Sequence, residues 1–277
     1  MLENILWYWA LFLFFYFGAI IGSFLNVLAL ELEPTVFEDQ PKKSFWARIN
    51  RRSRCPTCGH KLNFWELFPV FSYIFLRGKC SQCQAKISPR YFIVEIFSGT
   101  IFALLFWKLF QGSFDLVFLI EFLSLTFVFS GLIIISIFDA KHKIIPSEVY
   151  VPTLIFTLIY LALNGLIFDY HIFLRAAVAA LPFYLIWFIS KGKWMGYADW
   201  KLVFLLALLL PSGVYIYSFL TLAFWIAAIT FVPVLLKKQT VGIEVPFGPF
   251  LVIGFLIVFF FNINIIETIQ SFLSNFY

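Results

Sequence analysis

The 277 residues are 62% hydrophobic and only 13% charged, against about 25% charged in a soluble domain. Phe alone fills 39 positions. A soluble fold of this length has no interior large enough for that much apolar surface, whereas lipid solvates it, so composition excludes a soluble all-α protein and demands a membrane one. The net charge of +5 admits an acidic partner such as nucleic acid until the positions of the charges are examined.

Residues 1–4 contain no Lys or Arg and include Glu3, and the apolar run 5–30 is too long for the core of a secretory signal. No small-residue cleavage site follows it, so residues 1–30 read as a permanent first span. A polar insert occupies 31–90, and a second apolar run covers 91–110. Gln111, Gly112 and Ser113 form a turn into a third run ending near Phe138. The short loop 139–147 precedes a fourth run to Leu163, and a fifth spans 172–190. After the loop 191–199, the stretch 202–236 is too long for one crossing, and Pro211, Ser212 and Gly213 divide it. That leaves a sixth run of about ten apolar residues, short of the usual twenty and best accommodated as a partial span among its neighbours. A seventh run follows, and an eighth covers 246–261. The expectation is an all-α membrane protein of about eight transmembrane helices. It comprises a first span (1–30), a cytoplasmic insert (31–90) and a bundle (91–277).

Charge sets the orientation. With the N-terminus outside, the insert's eleven Lys and Arg face the cytoplasm. So do Lys141, Lys143, Lys191, Lys193, Lys201, Lys237 and Lys238, while only Lys108 and Arg175 fall on the outer side. The positive-inside rule favours this arrangement, with both termini outside. It also accounts for the basic loops without nucleic acid.

All four cysteines lie in the insert, as Cys55-Pro-Thr-Cys58 and Cys80-Ser-Gln-Cys83. Two such knuckles can offer four thiolates to one tetrahedral zinc, and Gly59 and Gly78 suit their tight turns. A reducing cytosol argues against two disulfides. A site closed by four cysteines keeps no open coordination position, so the expected role of the zinc is structural.

Acids in or beside spans are costly and therefore informative. Asp115 and Glu121, at the outer end of the third run, read as contacts with water or headgroups, and Glu95 as a polar contact within the bundle. Asp139 and Asp199 differ, because each marks a span end at the cytoplasmic edge. Asp139 opens Asp-Ala-Lys-His-Lys-Ile-Ile-Pro, and Asp199 lies in Met-Gly-Tyr-Ala-Asp-Trp-Lys-Leu. Brought together, two such carboxylates cannot both ionise easily and would share a proton. One member could then activate water while the other protonates a leaving amine. Two solvated span-end acids are the plainer alternative.

Several segments together resemble the type IV prepilin peptidase family over nearly the whole chain. Gly22-Ser-Phe-Leu-Asn26-Val27 looks like its first-span motif. The insert is similar at Arg52-Ser-Arg-Cys55, Leu67-Phe-Pro-Val-Phe-Ser72-Tyr73, Arg77-Gly-Lys-Cys80, Ile87-Ser-Pro-Arg90-Tyr91 and Glu95. Asp139 with Ile145-Pro146, Gly196-Tyr-Ala-Asp199-Trp-Lys201-Leu202, and Pro246-Phe-Gly-Pro249-Phe250 complete the set. One position departs from it: the family has Gly-x-Gly-Asp at the second aspartate, and Ala198 stands here in place of the second Gly.

The resemblance implies an aspartic endopeptidase of the bacterial inner membrane, with Asp139 and Asp199 catalytic. Its substrates would be type IV prepilins or pseudopilins, whose short basic leader is removed after a Gly. Many such enzymes also methylate the new N-terminal amine with S-adenosylmethionine. No Gly-x-Gly-x-x-Gly loop after a strand locates a site for that donor. The competing readings are a methyltransferase or pilus assembly factor without protease activity and, ranked last, a membrane transporter. A transporter of this size is expected to show two related halves, and no internal repeat is present.

Overall fold

The computed structural model describes residues 2–32, 53–55, 57–110, 114–238 and 246–274. The expected turn at 111–113 and the first part of the insert, 33–52, lie outside the described residues. The chain divides into two compact units, Met1–Phe122 and Leu123–Tyr277.

In the first unit the long helix α1 (Leu2–Leu32) packs antiparallel against α3 (Pro89–Leu109). Small residues let the two backbones approach, as is usual between spans. A Cβ on Gly18 would meet the Ser98 carbonyl at 2.8 Å, and the Ser98 hydroxyl donates to the Gly18 carbonyl over 2.7 Å. Asn26 donates from its side chain to the Gly22 and Tyr91 carbonyls. Towards the other end a ring cluster closes the pair, with Phe14 stacked on Phe106 at 4.2 Å between centroids. Ser88 starts α3 as its N-cap, with Pro89 in the first turn where its missing N–H costs nothing. The described part of the insert holds two small antiparallel bridges, Arg54 to Lys61 and Lys79 to Lys86. Between them lie a 3-10 turn (Phe64–Leu67) and the short helix α2 (Phe71–Phe75).

Most of α4 (Leu116–His142) belongs to the second unit, followed by α5 (Ser147–Leu163), α6 (Tyr170–Ser190) and α7 (Tyr197–Leu208). The chain continues through α8 (Gly213–Lys238), α9 (Gly248–Phe261) and α10 (Ile265–Ser274). Leu125, Val128, Phe129, Leu132 and Ile135 give α4 a fully buried face, and Phe129 meets the rings of Phe259 and Phe260 on α9. Gly254 brings α9 close to Ala223 of α8. α6 and α7 pair through Tyr184 with Trp200 and Trp187 with Tyr197. In α7 every residue from Leu202 to Leu208 except Phe204 is buried, so this short helix is enclosed by the unit rather than bathed in lipid. Asn262, in the left-handed region at φ 50°, ends α9, and α10 leaves at a bend of 67°.

Among the described residues five helices are long and apolar enough to cross a membrane, and six if the bent pair α9 and α10 makes one crossing. The expectation of about eight counts two more, α5 and α7, which are apolar but short, with 17 and 12 residues. Among the described residues no strand occurs. The fold is an all-α membrane protein with a cysteine-bearing insert.

Candidate active site and metal centre

Asp139 and Asp199 both lie in the second unit, and both are buried. Asp139 sits in the last turn of α4. Its Oδ2 accepts the backbone N–H of Gly248 over 2.8 Å, a contact between residues 109 apart in sequence. Gly248 is the first residue of α9, so this amide is one of the free donors at a helix N-terminus. A Cβ at Gly248 would lie 2.7 Å from Oδ2 and 3.0 Å from Cγ of Asp139, closer than real contacts allow. Any side chain there would push the Asp139 carboxylate aside.

Asp199 is the third residue of α7. Its Oδ2 accepts the N–H of Gly196, the N-cap of the same helix, over 3.1 Å. Each carboxylate thus rests on one amide at the start of a helix, where the aligned peptide dipoles favour negative charge. α7, which carries Asp199, packs against α9, whose first amide holds Asp139. Two residues after Asp199, Lys201 holds its ammonium 4.2 Å from the centre of the Tyr197 ring, and the Tyr150 hydroxyl donates to the Lys201 carbonyl.

The departure at Ala198 has a simple resolution. Ala198 is the second residue of α7, and it is not among the residues with positive φ. A helical position makes no demand for glycine, and alanine is the best helix former.

Two of the other acids have backbone partners. Asp115 accepts the N–H of Phe118 over 2.8 Å, which makes it a helix cap for α4. Glu95 on α3 accepts the N–H of Val70 over 2.8 Å, so this intramembrane acid reaches the insert.

In the first unit Cys55, Cys58, Cys80 and Cys83 converge, with their sulfurs all within 4.8 Å of one another. The Sγ atoms of Cys55 and Cys83 are 3.8 Å apart, and those of Cys58 and Cys80 are 3.9 Å apart. A tetrahedron of sulfurs at zinc-to-sulfur distances near 2.3 Å has edges of about 3.8 Å, so the cluster fits a zinc-sized ion. Gly59 and Gly78 flank it in the left-handed region, at φ 72° and 67°. Amides of Cys58 and Thr57 pull the Cys55 thiol down to about 6. The His60 amide acts on Cys58 in the same sense, but desolvation and the neighbouring sulfurs override it and push that thiol up to about 12. Four sulfurs this close suit thiolates gathered around one cation, as in a metal-binding site.

Glu66 ties the two knuckles together. It accepts from the Asn63 N–H over 2.7 Å, pairs with His60 at 3.1 Å and accepts from the Ser81 hydroxyl. The Asn63 amide and the Ser81 hydroxyl hold its carboxyl below the usual range.

A cavity of about 740 Å³ opens between this cluster and the helices α1 and α3. Ser23, Val27, Tyr73, Tyr91 and Glu95 are among its walls. Its size is in the range of small-molecule sites.

Two of these side-chain contacts carried no signal in the sequence. The segment Pro246–Phe250 stands out only as a motif, and nothing local announces that its glycine touches Asp139. Likewise Glu95 is conspicuous as an acid within a span, but its partner is a backbone amide 25 residues earlier.

Fold and site together define a multi-pass helical membrane protein with two buried, amide-held aspartates and a four-cysteine cluster. Residues 16–109 match the Bacterial Peptidase A24 N-terminal domain, and residues 126–232 match the Type IV leader peptidase family. The chain is 30% identical over 257 residues to a prepilin leader peptidase/N-methyltransferase of Vibrio cholerae, covering 90% of this chain and 96% of that protein. Proteins of the same description from Stutzerimonas stutzeri (30% identity, 86% of each chain) and Pseudomonas aeruginosa (28%, 86% of this chain and 85% of that one) are similar. No solved structure matches the chain. The chain belongs to the type IV leader peptidase family.

Proposed function

We propose that this protein is an aspartic endopeptidase of the bacterial inner membrane that removes the basic leader of a type IV prepilin or pseudopilin and methylates the N-terminus so exposed. The observation that carries the reading is the pair of buried aspartates, each with one oxygen held by a helix-start amide. With Oδ2 of each fixed, the remaining oxygens are free to act on water and substrate. One carboxylate takes a proton from water as the oxygen attacks the scissile carbonyl. The other donates a hydrogen bond to that carbonyl, and a proton then passes to the leaving amine.

The topology fits such a substrate. The basic asymmetry supports a cytoplasmic insert and external termini, with Asp139 and Asp199 at the cytoplasmic edge. A basic leader remains on that side while the apolar segment behind it enters the bilayer, which brings the scissile bond to the same edge. Membrane lipid surrounds the bundle, and no part of the account calls on nucleic acid.

The sulfurs of Cys55, Cys58, Cys80 and Cys83 are assigned to one structural zinc, which lets a small insert fold without a large core. The cavity beside them is assigned to S-adenosylmethionine, which supplies the methyl group when bound. Ser23, Tyr73 and Tyr91 offer polar atoms there, and Glu95 offers negative charge to a cationic ligand.

The test uses the full-length protein in proteoliposomes, with a prepilin and methyl-labelled S-adenosylmethionine. Leader removal followed by label on the new N-terminus is expected. Absence of cleavage by well-folded protein contradicts the peptidase reading, and cleavage without label contradicts the methyltransferase part alone.

A further inference from the structure

Between Lys61 and Arg77 the sequence carries a single charged side chain, Glu66, and six aromatic residues: Phe64, Trp65, Phe68, Phe71, Tyr73 and Phe75. Such a stretch is out of place in a cytosolic zinc domain. Its outward side chains are not covered by the rest of the unit. Trp65 is 77% exposed and Phe75 81%, and Phe64 and Ile74 are also exposed.

The segment does not project away from the spans but folds back along them. Val70 donates its N–H to Glu95, which lies six residues inside α3, or ~9 Å along it at 1.5 Å per residue. Phe68 and Phe71 reach further, to the Tyr16 ring of α1, at centroid distances of 6.0 and 6.3 Å. Tyr16 is close to the midpoint of the apolar span Ile5–Leu30 and ~21 Å from its Leu30 end. A bilayer core is about 30 Å thick, so these rings lie at hydrocarbon depth. An apolar groove of about 500 Å³ lies between the segment and α1, lined by Phe12, Tyr16, Trp65, Phe68 and Phe75. It is continuous with the exposed face of α1 formed by Trp9, Phe12 and Leu13, which a spanning helix turns to lipid.

The turn of the segment satisfies much of its own backbone. Ser72, Ile74 and Leu76 donate to the Phe68, Val70 and Ser72 carbonyls, and Phe71 donates to Pro69. Irregular backbone at membrane depth is tolerated only where protein satisfies it. The Val70 amide, which has no helical acceptor, finds the Glu95 carboxylate instead. Val70 itself is held at φ 65°, a strained conformation for a β-branched residue that persists only where its surroundings enforce it.

We propose that residues 62–76 form a membrane-inserted wedge, whose aromatic face and groove are filled by lipid acyl chains, with Glu95 as the pin that holds it against α1 and α3. The insert then has two parts, a metal cluster in water and a wedge in the leaflet beside it. Lys61, Arg77 and Glu66, which ties the metal knuckles, mark the boundary at headgroup level, where charged side chains meet water. The inference rests on α1 being a span and not on the catalytic assignment.

The test is tryptophan quenching in proteoliposomes. The chain has nine Trp, so the Trp65 signal is read as the difference between the wild type and Trp65→Phe. Phe75→Trp in the Trp65→Phe background provides a second reporter on the same face. Both positions are exposed, so neither change disturbs the core. Lipid brominated on its acyl chains is expected to quench both signals, and aqueous iodide to leave them intact. Quenching by iodide but not by brominated lipid overturns the wedge. So does a signal that escapes iodide only after prepilin is added, since the groove then belongs to the substrate helix.

Discussion

The backbone amide of Gly248 and the carboxylate of Asp139 meet over 2.8 Å across 109 residues of sequence. This contact joins the start of α9 to the end of α4 and fixes one oxygen of the first aspartate. A side chain at Gly248 would occupy the space of that carboxylate.

Gly248→Ala is therefore expected to impair cleavage severely. The added methyl displaces the carboxylate, and a shift of about 1 Å at a reacting group can cost about 100-fold in rate. The loss should fall on kcat, with methylation of an already cleaved pilin unchanged. Steady-state cleavage kinetics check it, and a wild-type kcat would show that Asp139 does not need this support.

Ala198→Gly should do little. The position is helical and negative in φ, so glycine restores the family signature without relieving strain. It should cost at most about 1 kcal/mol of stability, the penalty for Gly against Ala in a helix. Cleavage rate and thermal unfolding in detergent measure both effects. A large gain in activity would mean that the alanine methyl obstructs the site.

Metal content tests the cluster. Protein purified without chelator should carry about one zinc per chain, the stoichiometry of a four-thiolate site. Cys58→Ser should lose it. Glu66→Gln, which weakens the tie between the knuckles at His60 and Ser81, should lower zinc affinity about 10- to 100-fold, as loss of outer partners does. Elemental analysis and competition with a chelator give the values.

The cavity assignment is tested by filling it. Val27 lines the space from α1, and Val27→Trp should abolish binding of S-adenosylmethionine, read by equilibrium dialysis. Prepilin cleavage should continue at the wild-type rate, because neither Asp139 nor Asp199 lines this cavity. Undiminished binding would move the donor elsewhere.

Much of this was legible in the sequence, for identifiable reasons. Spans announce themselves because lipid permits long apolar runs, and Asp139 and Asp199 stand out because acids at span ends are rare. The cysteine pairs carry their geometry in their spacing, and the sulfurs do converge. The short helices α5 and α7 are harder to read: α7 is apolar because protein buries it, and a run of that kind looks the same as a lipid-facing one. Gly248 and Val70 fall in motif segments, but their contacts were not legible. Their roles depend on contacts with Asp139 and Glu95 that only the folded chain creates, and neither residue type signals an acceptor at a distance.

Asp139 and Asp199 are proposed to act as one catalytic unit. Asn keeps the shape of Asp and removes its proton chemistry. The decisive measurement is prepilin cleavage in proteoliposomes by Asp139→Asn, Asp199→Asn and the double variant, with methylation of pre-cleaved pilin as the control for folding. Each single change should abolish cleavage, the double variant should be no worse than either, and methylation should survive in all three. Cleavage near the wild-type rate by either single variant, in protein that still methylates, would contradict the proposal.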